Sequence, residues 1–175
     1  HNRIGVPTAD NLDITTFGAR VAGDWNALDY EAEVAIQSGD GPANTDNKGM
    51  AINTELGYTF DTAHAIRIFG GVTILEGPDG NDNGFNRLYS DWEYSEFLGN
   101  GDIGNVTFPG QGADIYRLGG SIQATEKIGL TLIASMFELN EDAGGEDEVG
   151  NEIGLYMTYA YSEDVAIEVG AATFL

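Results

Sequence analysis

Charged and amide side chains recur at every second position of otherwise apolar stretches: Arg20, Glu31, Glu33, Glu55, Arg67, Arg117, Gln123, Glu152 and Glu168. Facing one another across water, such groups form a ladder that sorts solutes by charge. Packed together, the same groups are ion pairs that fill an interior. On adjacent strands both readings hold at once. A second constellation is Asp79-Gly80-Asn81-Asp82-Asn83-Gly84, which matches the first half of a calcium loop. Such loops need oxygens at alternate positions and a glycine at the sixth for the sharp turn. Asp79, Asn81 and Asn83 would then be the ligands of a calcium ion. The twelfth position is Ser90 rather than a bidentate glutamate, and Gly, Asn and Asp are also the ordinary residues of a turn. Catalytic chemistry finds little support. The chain has no Gly-x-Ser-x-Gly elbow and no His-Glu-x-x-His, and His1 and His64 have no evident partner. A nucleophile without a base in reach is not activated. The sequence predicts no enzyme, and no cofactor beyond that calcium.

What must position these groups follows from composition and pattern. The 175 residues carry 29 Asp and Glu against seven Lys and Arg, a formal charge of -22, which excludes nucleic acid as a partner. A chain so acidic is often disordered, but 42% hydrophobic and 10% aromatic residues are too many for that. Cysteine is absent, so there is no disulfide framework. No stretch reaches the 18 or so apolar residues of a membrane helix. The chain starts at His1 without an initiating Met or a basic leader, and it is read as a segment of a longer protein.

The dominant period is two. Leu28, Tyr30, Ala32, Val34 and Ile36 alternate with Asp29, Glu31, Glu33, Ala35 and Gln37. Met50, Ile52, Thr54, Leu56, Tyr58 and Phe60 alternate with Ala51, Asn53, Glu55, Gly57 and Thr59. Each is a strand with one apolar and one wet face. Similar stretches start near Leu12, Ile66, Tyr116, Leu130, Glu152 and Val165, making eight strands. They are about as long as a tilted strand that crosses a bilayer, roughly 9–11 residues. No charge falls on the apolar face within a span of the seven regular strands, as expected where a lipid-facing charge costs roughly 2–4 kcal/mol near the midplane. Aromatics gather near strand ends (Trp25, Tyr30, Tyr58, Phe60, Tyr116, Tyr159, Tyr161), where interfacial girdles belong.

Short and long connections alternate. Residues near 23–27, 61–64, 125–127 and 162–164 form tight turns, whereas 38–49, 75–114 and 139–151 are long outside loops. The expectation is an all-β, antiparallel, up-and-down transmembrane β-barrel, a single unit over residues 1–175 whose eight strands belong to a larger barrel in a bacterial outer membrane. Outer-membrane lipid and lipopolysaccharide are then its surroundings. The acidic cluster of Glu141, Asp142, Glu146, Asp147 and Glu148 reads as a solvated loop. The 75–114 loop instead carries Phe85, Leu88, Tyr89, Trp92, Tyr94 and Phe97, too much apolar surface to stay wet. It is expected to fold inward as a constriction, with Phe85, Arg87, Tyr89, Trp92 and Asp102 as its candidates; docking on the rim is the alternative.

The strand Leu28–Gly39, ending in Gln37-Ser38-Gly39, resembles one in the alginate-export family of outer-membrane porins. The stretch from Gly77 through Phe85-Asn86-Arg87-Leu88-Tyr89 to Gly99, Asp102 and Asn105 is similar to that family's Phe-Asp-x-Leu-Phe/Tyr segment and the Gly-Asp-Asn pattern after it. The resemblance runs from about Leu12 to Leu139. It implies a barrel of well over eight strands, passing polyanionic or other hydrophilic solutes by diffusion or export. The family's alginate exporters have an arginine-rich lining, whereas here three strand arginines stand among more carboxylates. The expected function is thus a porin-like channel for hydrophilic, including anionic, solutes. The alternative is a structural barrel whose loops hold a partner protein or a polysaccharide.

Overall fold

A computed structural model describes residues 13–40, 45–86, 95, 112–140 and 148–175. Eight strands form one antiparallel sheet in sequence order: β1 (Asp13–Trp25), β2 (Leu28–Asp40), β3 (Gly49–Thr59), β4 (Arg67–Leu75), β5 (Ala113–Gln123), β6 (Ile128–Glu138), β7 (Glu148–Ala160) and β8 (Ala166–Phe174). Every strand pairs with its sequence neighbour, and β1 and β8 are the edges of an unclosed sheet among the described residues. At nine to thirteen residues, the strands have the length a tilted membrane crossing requires.

The short connections are built by local chemistry. Asn26 and Ala27 alone join β1 to β2, with Asn26 at φ 57, a backbone region that asparagine tolerates better than most residues. Between β5 and β6 the Thr125 hydroxyl accepts from the Lys127 and Ile128 amides, 3.2 and 3.1 Å away. At the other end β2, β5 and β7 run further into the expected loops. Beta7 begins at Glu148, where Phe137 faces Gly150 and Glu138 faces Glu148, leaving Val149 as the extra residue of a bulge. Gly150 has φ 148, and a Cβ there would collide with the Phe174 ring.

Register makes the two faces explicit. Arg20, Glu33, Asn53, Thr73, Ile115 and Phe137 stand opposite one another on one face; Ala22, Glu31, Glu55, Gly71, Arg117, Ser135 and Glu152 form the next row. A single hollow of ≈ 370 Å³ touches Glu55 of β3 and Glu168 of β8 together, so this face is concave. The period-two reading treated the concave face as wet throughout, and here the structure differs. At its loop end Leu75, Ala113, Ile115 and Phe137 form a buried apolar cluster, with Phe85 and Phe174 packed on it. The segment after β4 covers that end of the face, which gives the cluster a lid of protein instead of water.

Candidate functional site

The convex face carries what a water-soluble protein would bury. Val21, Leu56, Ile68, Leu118, Leu132, Leu155, Ile167 and Val169 are each at least half exposed. Burying one such side chain is worth about 1.5–3 kcal/mol, so a face of this size left in water would be untenable. Near the short turns it ends in exposed Trp25, Tyr30, Tyr58, Phe60 and Tyr161, with Tyr58 and Phe60 edge to face at 4.9 Å. At the loop end it ends in opposed acids, Asp13 against Asp40 and Asp114 against Glu138. Aromatic rings at one margin and carboxylates at the other bracket an apolar band.

The concave face holds the charges. Arg20 donates Nε to Glu31 Oε1 (3.0 Å) and Nη2 to Glu31 Oε2 (2.8 Å), with Glu33 at 4.0 Å. Arg67 donates Nε to Asp29 (3.0 Å) and shares Nη2 between Asp29 and Glu55, the latter at 2.8 Å. Its guanidinium lies 4.5 Å from the centroid of the Phe69 ring. Arg117, only 8% exposed, donates to Thr73 Oγ1 (2.6 Å) and Asn53 Oδ1 (3.1 Å). Glu168 accepts from the Thr158 hydroxyl at 3.3 Å, and buried Glu152 accepts from Ser95 Oγ at 2.6 Å. Gln123 sits apart at the short-turn margin, its amide donating to the Thr125 carbonyl at 2.7 Å.

Glycines let these long side chains lie along the wall. A Cβ on Gly57 would collide with Arg67, and one on Gly71 would stand 2.7 Å from Arg117 Nη2. Gly119 leaves room for the Phe69 ring, and Gly154 and Gly170 together for Tyr156. The charged layer is therefore thin, and the hollow above it stays open.

The sequence reading brought Arg20, Glu31, Glu33, Glu55, Arg67, Arg117, Glu152 and Glu168 to one face, and that is where they lie. Gln37, Asn53, Thr73 and Tyr156 fall on the same alternating face but are not among the expected lining residues, and neither is Ser95. Strand parity puts Asn53 and Thr73 on the same face as Arg117, but does not by itself bring them within its reach. Ser95 carried no signal, because its contact with Glu152 spans sequence-distant segments. Of the constriction candidates, Phe85 packs on the apolar cluster, whereas Arg87, Tyr89, Trp92 and Asp102 lie outside the described residues. Just after Phe85, Asn86 is clamped from inside: its amide donates to Gln37 Oε1 and its carbonyl accepts from Gln37 Nε2, both at 2.7 Å.

The Asp79–Gly84 run is a tight turn. Gly80 and Gly84 have φ 59 and 71, and Asp79 and Asp82 exchange backbone bonds of 2.9 and 3.1 Å. Asp82 Oδ1 accepts from the Lys48 and Gly84 amides, while Asn83 Nδ2 donates to Thr45 Oγ1 at 2.6 Å. Beside it, the Asp46 carboxylate, 2.7 Å from Nζ, pushes the Lys48 ammonium above its usual range. The 45–48 and 76–86 segments are thereby tied together.

An apolar convex band with a charged concave face defines a wall of a transmembrane β-barrel. The chain belongs to the alginate export family, whose family model matches residues 1–143, from before β1 to beyond β6. Strands β7 and β8 lie past that match and continue the sheet without a break. No curated protein matches the chain. Members of this family are outer-membrane channel and transport proteins, and the transmembrane wall described above fits that role.

Proposed function

We propose that the chain forms part of the wall of a water-filled channel through which hydrophilic solutes cross the outer membrane by passive diffusion. One observation carries this reading: the faces are inverted, with large apolar side chains on the convex side and ion pairs around an open concave hollow. Passive movement needs only a wet path, which the wall-hugging arginines keep clear. In the same reading the segment after β4 narrows the passage, because Asn86 and Ser95 are both held by concave-face side chains, Gln37 and Glu152. The test is single-channel recording of the full-length protein in a planar bilayer. Steady ohmic current in discrete steps is expected. Correctly folded protein that inserts and carries no current would favour a binding barrel, in which the tied 45–48 and 76–86 segments serve as a platform for a partner protein or a polysaccharide.

A further inference from the structure

Resting on that channel reading, we propose that this concave wall favours cations over anions, so that it suits metal cations and positively charged amines and disfavours polyanions. Carboxylates on this face, from Asp24, Asp29 and Glu31 through Glu33 and Glu55 to Glu152 and Glu168, outnumber the guanidiniums of Arg20, Arg67 and Arg117. Even complete pairing leaves negative charge in excess. The positive groups are also the more occupied ones. Arg20 closes its fork on Glu31, Arg67 is shared by Asp29 and Glu55, and Arg117 is buried in the wall against Thr73 and Asn53.

The carboxylates have a different setting. Glu33 is exposed and stands 4.0 Å from Arg20, at the outer limit of an ion pair. Glu168 is exposed beside the hollow and accepts a hydrogen bond from a neutral hydroxyl, which leaves the carboxylate its charge. An incoming anion would need to displace a carboxylate from Arg20 or Arg67, or reach the buried Arg117, whereas a cation meets charge already facing it. Rings of Asp and Glu mark cation pathways, and low-dielectric walls focus their field into the water between them.

The test is the reversal potential of the full-length protein in a planar bilayer under a KCl gradient, with and without the paired substitutions Glu33→Gln and Glu168→Gln. Both positions are exposed and the exchanges keep shape, so the barrel should fold; unchanged heat-modifiable migration on a gel verifies it. Potassium should permeate about threefold more readily than chloride, as expected beside an acidic ring. The double substitution should lower that ratio about twofold by removing field from the wall. Chloride preference in the wild type, or a ratio unmoved by the substitutions, overturns the inference while leaving a channel. Inserted protein without current removes the channel reading itself.

Discussion

Arg67 shows how much one inward side chain holds. Its planar fork reaches two carboxylates on different strands, Asp29 of β2 and Glu55 of β3, while its face covers Phe69. A lysine offers a point charge and no fork. Arg67→Ala should lower stability against urea by about 1–3 kcal/mol, since it strips charge-assisted hydrogen bonds from a partly buried site. Arg67→Lys should recover only part of that loss, and full recovery would show that charge alone matters. Gln37 offers a separate case. Gln37→Ala removes both bonds to the Asn86 backbone, so exchange of the Asn86 amide should quicken by about tenfold for each 1.4 kcal/mol of closure lost. Strand amides of β2 should be unaffected. The inward placement of these residues was legible from parity, but their partners were not. The clamp joins Gln37 to Asn86, and Arg117 reaches Asn53 on a strand that is not its neighbour; such pairings depend on sheet curvature, which alternation does not encode.

Strands carry the face assignment, and the two faces should answer differently to the same intrusion. Leu132 of β6 is 52% exposed on the convex side, whereas Thr158 of β7 is exposed on the concave side beside Glu168. Leu132→Arg should block assembly into liposomes, at a cost of about 2–4 kcal/mol near the bilayer midplane. Thr158→Arg should assemble as the wild type does, followed by the shift to the compact form on an unheated gel. Equal behaviour would contradict the faces. The strands themselves were readable because a sheet wet on one side and in lipid on the other leaves a period of two. Where both sides of a strand meet protein or headgroups, that signal fades. Beta5 begins at Ala113 and β7 at Glu148, inside stretches that read as loop, because Ala113 and Ile115 are buried inward while Asp114 and Glu148 lie on the opposite face. The apolar cluster under Phe85 was missed for the same reason.

Taken as a whole molecule, the sheet is a curved wall: ion pairs and glycines keep its inner layer thin, an apolar band covers its outer face, and the segments at one end are tied to one another and to the interior. Family membership supplies the outer membrane and the transport role, and β7 and β8 extend the same wall beyond the family match. The excess of concave carboxylates sets this wall apart from the arginine-rich lining that the resemblance to alginate exporters implies, and it shifts the expected solute from anions toward cations. All of this depends on the inversion of faces. The chain lacks cysteine, so single substitutions to cysteine give clean labelling sites in the full-length protein. A spin label at Leu132→Cys, Leu155→Cys or Ile167→Cys should collide preferentially with oxygen, which dissolves in lipid. A label at Thr131→Cys, Thr158→Cys or Glu168→Cys should collide preferentially with a water-soluble nickel chelate. That alternation, read in liposomes, is the result the inverted wall predicts; nickel access at the leucines with oxygen preference at the threonines would contradict it.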